Sequence, residues 1–290
     1  MVSLTEYGAL IGVTLGKVPL KEGEMAVNIV VLLKQTPDTE SVIRIAGDNK
    51  SVVTDDLKWV LNPYDEYAVE VALRLKEKHG GTVAVLSWGP NRVVEAMRTA
   101  LAMGADTGVL IDDPALEGAD ILGVAKALAA ATKELNPDIV LCGSRAVDYD
   151  LAQRGATVAE FLGWPHIALA VSLESDGSKV TAQRPIEGGT LTIESTLPAL
   201  VTIGGSQAIW NPRYASLPGI MKAKKKPLAM KKLSDLGLNA SECGAQAIKM
   251  RMATLEMPPQ RAAGRIVDGP DTASKAKEVV RELHEKVKVI

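Results

Sequence analysis

The chain lacks most of the groups on which recognisable chemistry is built. It has only two cysteines in 290 residues, Cys142 and Cys243. Neither belongs to a CxxC or zinc pattern, which sets aside a disulfide scaffold and fits a reducing compartment. The three histidines, His79, His166 and His284, stand alone without metal-ligand spacing, so no metal site is expected. There is no GxGxxG fingerprint and no P-loop sequence, which removes the best evidence for a dinucleotide oxidoreductase or a P-loop enzyme. A GxSxG elbow and a nucleophile–base–acid set are missing as well, and no catalytic residue is assigned. No apolar run is long enough to span a bilayer, so an integral membrane protein is not expected. The formal net charge of −2 is too small for a global field that would draw nucleic acid.

What is present is a repeated strand–helix rhythm in a chain that is 47% apolar. The run from Ile29 to Leu33 is continuous, apolar and rich in β-branched side chains, as in a strand buried on both faces. Asn62 stands at an N-cap position, Pro63 fits the first helical position, and acids fill the first turn of a helix that Gly80-Gly81 ends. Strands then follow at Thr82–Ser87, Thr107–Ile111 and Ile139–Cys142, with helices at Asn91–Met103, Asp120–Leu135 and Leu151–Leu162. Four β–α units in a row predict an α/β fold: a doubly wound, mainly parallel sheet of the Rossmann-like, nucleotide-binding kind. Val180–Ile186 and Thr190–Ser195, joined through Glu187-Gly188-Gly189, read as a β-hairpin. Three regions are expected: an amino-terminal extension over 1–24, an α/β domain over 25–210, and an extended carboxyl-terminal arm over 211–290.

Ligands of such sheets bind beyond the carboxyl ends of the strands. The most informative loop there runs from Gly143 to Asp150, between a buried strand and the helix carrying Gln153, Arg154 and Gly155. Gly143 permits a tight turn beside a ligand, and free N–H groups at the helix start suit a phosphate. Arg145 and Arg154 offer charge-assisted bonds, and the aspartates offer acceptors for a ribose or an adenine amino group. An ordinary strand–helix turn with aspartate caps and solvated arginines explains the same residues, and composition does not separate the two. Lys34 to Asp38, Asn62 to Asp65 and Ser87 to Pro90 share that rim, where Trp88 is either a ligand contact or a core side chain.

A second feature is Asn211 to Lys226, in which Tyr214, Leu217, Ile220 and Met221 fall at helical spacing ahead of a lysine cluster. It reads either as a docking segment with apolar anchors and a basic rim, or as a solvated lysine face on a helix packed inward.

Together these segments resemble the β subunit of electron-transfer flavoproteins. The matching text is Leu61-Asn62-Pro63, Arg98-Thr99-Ala100-Leu101-Ala102-Met103-Gly104-Ala105-Asp106, Gly143 to Gly155, Asn211 to Lys226, and Pro258-Pro259-Gln260-Arg261-Ala262-Ala263-Gly264. The resemblance covers Met25 to Ile290 and implies a heterodimer with an α subunit, on which the arm would pack. FAD would be shared with α and lie mostly there, while this chain would hold a structural AMP. In electron-bifurcating relatives a second FAD, reduced by NADH, takes the place of AMP. By position, the resemblance puts the nucleotide against Leu32, Asn62, Pro63, Tyr64, Asp65 and Trp88. The rest of that site is the run Gly143, Ser144, Arg145, Ala146, Val147, Asp148, Tyr149, Asp150, Leu151, Ala152, Gln153 and Arg154. It makes Arg213, Tyr214, Leu217, Pro218, Ile220, Met221 and Lys222 the partner-docking loop, with Leu217 as the anchor that grips acyl-CoA dehydrogenases.

The implied role is an electron carrier rather than a substrate-converting enzyme. It would take electrons from acyl-CoA or related dehydrogenases to a quinone oxidoreductase, in a prokaryotic cytoplasm rather than a mitochondrial matrix. Two positions depart from the family pattern. Many members have a small residue where Arg154 stands, and bifurcating members commonly read Asp-Thr-x-Gln-Val-Gly where this chain has Asp150 to Gly155; the bulky cation favours AMP over a second flavin. Pro185 follows Arg184 where some members carry an acidic residue facing α. The reading of another class is a stand-alone nucleotide-binding regulator, against which the long tail and the Arg213–Lys226 segment both argue.

Overall fold

The computed structural model describes residues 26–204, 210–261 and 263–290; the extension expected over 1–24 lies outside them. The chain forms two compact units, one from the residues up to Arg44 together with Val52–Ala253, the other from Ile45–Ser51 with Thr254–Ile290.

The first unit is organised by a seven-stranded sheet. In chain order its elements begin with β1 (Ile29–Leu32), the short pair β2 (Gln35–Pro37) and β3 (Trp59–Leu61), and α1 (Pro63–His79). Then come β4 (Val83–Trp88), α2 (Val93–Met103), β5 (Thr107–Ile111), α3 (Ile121–Leu135), β6 (Ile139–Gly143) and α4 (Arg154–Leu162). After β7 (His166–Ala170) the chain builds a three-stranded antiparallel sheet from β8 (Ser172–Ser175), β9 (Lys179–Ile186) and β10 (Gly189–Thr196). It returns to the main sheet with β11 (Ala199–Ile203) and, after α5 (Leu217–Ala223), with β12 (Leu228–Lys231); α6 (Ala240–Cys243) follows.

The strand order is β12-β5-β4-β1-β6-β11-β7, and every neighbouring pair is parallel. The sheet is doubly wound. Ile29, Val31 and Leu33 pack with α1 and α2, while Val30 and Leu32 face the alanine-rich α3 and α4. Alternation along one strand thus feeds two cores, which is why the sequence there is apolar without a break. The chain runs outward from β1 to β4 and β5 on one side and to β6 and β11 on the other. The order therefore reverses between β1 and β6, the crevice where such folds receive ligands.

The parallel units and the hairpin agree with expectation. The differences are local. The helix expected from Leu151 begins at Arg154, because Asp150 and Ala152 adopt left-handed backbone at φ 52° and 54° and cannot join a right-handed helix. Strand β12 had no signal: Leu-Ala-Met-Lys is short, half-exposed and followed by a second lysine. Residues 228–231 nonetheless hydrogen-bond along β5 as an edge of the main sheet.

The second unit carries α7 (Thr272–Glu282), capped by Asp271 accepting from Ser274 N–H at 2.7 Å. Leu255 N–H donates to Asn49 O at 2.7 Å, and Arg265 pairs with Glu282 at 2.6 Å. None of its described residues is buried.

Candidate functional site

The carboxyl ends of β1 and β6 are held together by two side chains from the start of α1. Asn62 occupies the N-cap position of α1, yet its side chain does not cap that helix. Its Nδ2 donates to Arg145 O at 2.9 Å, and its Oδ1 accepts from Val147 N–H at 3.3 Å. Its own N–H donates to Lys34 O at 2.9 Å. Asp65, one turn on and fully buried, accepts from Lys34 N–H through Oδ2 at 2.8 Å and from Gly143 N–H through Oδ1 at 2.9 Å. The helix start is a clamp on the two loops flanking the switch point.

Close approach explains the glycines. A Cβ on Gly143 would lie 2.6 Å from Tyr64 backbone carbon and 2.8 Å from Asp65 Oδ1, and one on Gly155 would lie 2.3 Å from Thr202 Cγ2. Neither place has room for a side chain, so β6 and α4 sit tightly on α1 and β11.

Arg154 does not project from the rim as a free cation. Its Nη2 donates to Asp65 Oδ1 at 2.5 Å, and the side chain is 12% exposed. Burial opposes the guanidinium charge, but Asp65 and the neighbouring Cys142 outweigh it and raise the pKa. Burial also pushes the Cys142 thiol up to about 11 despite Arg154 beside it, so it stays protonated at neutral pH.

The outer loop is organised by other charges. Lys34 pairs with Asp148 at 2.5 Å and lies 5.0 Å from the Tyr149 ring centre. Arg145 pairs with Asp150 at 3.2 Å and sits over the Tyr64 ring at 5.2 Å. Both aspartates offered to a ribose or adenine are thus already engaged by cations. Ala146 and Val147 are half-buried, whereas Tyr149, Leu151, Ala152 and Gln153 are exposed. Pro63 opens α1. Leu32 is fully buried in the core and turns no surface to the rim. Trp88, at the end of β4, is partly buried against that same core.

Two features of the rim invite a ligand. Ser144 is buried, and its Oγ has no hydrogen-bond partner among the described residues; Arg154 Nη1 is likewise buried without one. The N-cap of α4, Gln153, makes no side-chain cap, which leaves first-turn N–H groups available to an anion. Lys34 belongs to this site through four contacts, although sequence reasoning placed only its loop at the rim. Its position immediately past a buried strand was the available signal.

The second candidate region divides in two. Ser216 caps α5 by accepting from Gly219 N–H at 3.1 Å, and Pro218 lies in the first turn, where a missing N–H costs nothing. Tyr214, Leu217 and Met221 are strongly exposed, Leu217 at 74%, and Ile220 is partly so. Lys222 is exposed as well. Arg213 instead turns inward. Its Nε donates to buried Glu70 at 2.7 Å and its Nη1 to Glu77 at 2.5 Å. Lys226, at the end of the basic run, donates to Leu101 O at 2.9 Å and to Ala105 O. A helix C-terminus attracts such a cation. The lysine cluster is therefore part anchor and part open surface.

Among the described residues, no cluster of three His, Cys, Asp or Glu side chains has metal-binding geometry. No described helix is long and apolar enough to cross a membrane.

Comparison with known proteins gives a consistent match. The family model described as electron transfer flavoprotein domain matches residues 50–236. The electron transfer flavoprotein subunit beta of Bacillus subtilis is 40% identical over 266 residues, 91% of this chain and 100% of that protein. The Homo sapiens protein of the same name is 40% identical over 257 residues, 87% of this chain and 98% of its own length. That of Thermoanaerobacterium thermosaccharolyticum is 38% identical, covering 90% and 97%.

Proposed function

The chain belongs to the electron transfer flavoprotein family as a β subunit, and from that premise we propose that it carries a structural AMP between β1 and β6 and docks redox partners through α5. An α subunit is its implied partner. Flavin shared with that subunit supplies the redox chemistry; this chain contributes binding, orientation and docking. Electrons would arrive from acyl-CoA or related dehydrogenases and leave to a quinone oxidoreductase, in a prokaryotic cytoplasm.

The observation that carries the nucleotide reading is the clamp by Asn62 and Asp65 on the two switch-point loops, beside the unpartnered Ser144 Oγ. An unmet hydroxyl in a buried position is costly unless something completes it. A phosphate at Ser144 and the first turn of α4 would do so. Arg154 fills space beside Asp65 at the rim, which supports the smaller AMP over a second FAD.

The docking reading is supported by the apolar stripe of Leu217, Ile220 and Met221 left open on a helix whose ends are tied down. The second unit has no buried residue of its own among those described, as expected of an arm that packs on another subunit. Denaturing the purified heterodimer and identifying the released nucleotide by mass tests the reading. One AMP per flavin supports it. Two FAD per heterodimer would replace it with the bifurcating form, and a β chain that is stable and soluble alone would favour the regulator.

A further inference from the structure

Asp65 and Arg154 are 89 residues apart and meet inside the protein. The carboxylate is fully buried. A lone charge there would be severely destabilising, and removing one member of such a pair is worse than never having built it. Both oxygens of Asp65 are engaged. Oδ2 holds Lys34, two residues past β1, and Oδ1 holds the last residue of β6 together with the guanidinium. The carboxylate therefore fixes the distance between the two strand ends that define the crevice. An amide in its place offers only one acceptor oxygen, and its NH2 group would face one of the two backbone N–H donors.

The guanidinium is enclosed with it. Nη2 is taken by Asp65, Cys142 lies beside it, and Nη1 is buried without a partner among the described residues. This restricts what Arg154 does for an anion. A residue whose charge is neutralised 2.5 Å away by a buried carboxylate adds little net attraction for a phosphate.

Resting on the reading of a nucleotide at this rim, we propose that Asp65 and Arg154 are positioning residues that act as one unit. Asp65 sets the spacing of the two phosphate-facing loops, and Arg154 is the charge partner of the buried Asp65 rather than the phosphate counter-ion. The anion is then held by the start of α4 and by Ser144. Here the positive charge next to the site serves its architecture.

The test is a double-substitution cycle on the full-length chain purified with its flavin-bearing partner. AMP affinity is measured by titration calorimetry at two salt concentrations for the wild type, Asp65→Asn, Arg154→Gln and the double variant. Each single change is expected to weaken binding about tenfold or more, and the double no further than the worse single, because both break the same unit. Arg154→Gln should leave the salt dependence of AMP binding as in the wild type, since a screened contact to the ligand is not what it removes. Loss of that salt dependence, or a double variant weakened by the product of the two singles, overturns the proposal and makes Arg154 the phosphate ligand. Should Asp65→Asn fail to fold, the salt dependence of Arg154→Gln and Arg154→Lys decides between the same two outcomes. A wild-type complex with no affinity for any adenine nucleotide instead overturns the nucleotide reading itself.

Discussion

Replacing Arg213 with Met tests whether this residue belongs to the fold or to the docking surface. Glu70, near the middle of α1, has a side chain only 1% exposed. Arg213 meets it with three donors: its backbone N–H at 3.1 Å, Nε at 2.7 Å and Nη2 at 3.1 Å. Arg74 adds one contact at 2.6 Å from the following turn. Stranding a buried carboxylate costs ~3–5 kcal/mol; with Arg74 and the residue 213 backbone N–H still in place the cost falls below that range, to about 2–3 kcal/mol. For a domain of this size each kcal/mol moves Tm by about 2–4 °C, so the expected fall is roughly 5–10 °C.

The pH dependence carries a sign. Burial raises the Glu70 pKa, but Arg213 and Arg74 outweigh it and hold it below the ordinary 4.5. A carboxylate with a depressed folded value contributes stability that is fully present above 4.5 and is lost as pH falls through the folded value. The gap between wild type and variant should therefore narrow below pH 4.5. Circular-dichroism melts of both proteins from about pH 3 to about pH 8 would show it. A variant that melts within about 2 °C of wild type across that range would refute the argument and return Arg213 to the docking surface.

Further expectations follow from single positions. Gly143→Ala would press a methyl group into Tyr64 and Asp65, costing about 1–3 kcal/mol and lowering the AMP retained after gel filtration; full retention would contradict the tight packing of α1 on β6. Leu217→Ala, at a side chain 74% exposed, should leave stability within about 0.5 kcal/mol. It should slow electron acceptance from an acyl-CoA dehydrogenase in stopped-flow, and unchanged transfer would remove the docking role. The His166 pKa lies below 6.5, first through burial and then through the charge of Arg184. Its neutral form is favoured by folding, so stability is lost as pH falls below 6.5. His166→Asn should flatten the decline in Tm between pH 7 and 5, and an equally steep decline would assign it to other groups.

The fold was legible where one residue's neighbours decide its fate. Continuous runs such as Ile29–Leu33 and Ile139–Cys142 admit few alternatives to a buried parallel strand. The site was legible in position but not in chemistry. Asn62 reads locally as a helix cap, and only the fold brings Arg145 and Val147 within its reach. Arg154 reads as a phosphate ligand because its partner lies 89 residues earlier. The start of α4 was misplaced by three residues because Asp150 and Ala152 adopt a backbone that their identities do not advertise. Arg213 and Lys222 look alike in a basic segment, yet one is an internal anchor and the other is open.

Strand β12 has a consequence for how the chain keeps company with copies of itself. It lies along β5, whose five residues Thr-Gly-Val-Leu-Ile are all buried. Without it that strand would be a bare apolar edge with unpaired backbone groups, the template on which chains stack into aggregates. The four residues that shield it end in Lys231, which pairs with Glu134 and is followed by Lys232. The stretch between α5 and α6 thus acts as a gatekeeper for solubility, and a fragment cut after Trp210 would carry the crevice between β1 and β6 beside an adhesive seam.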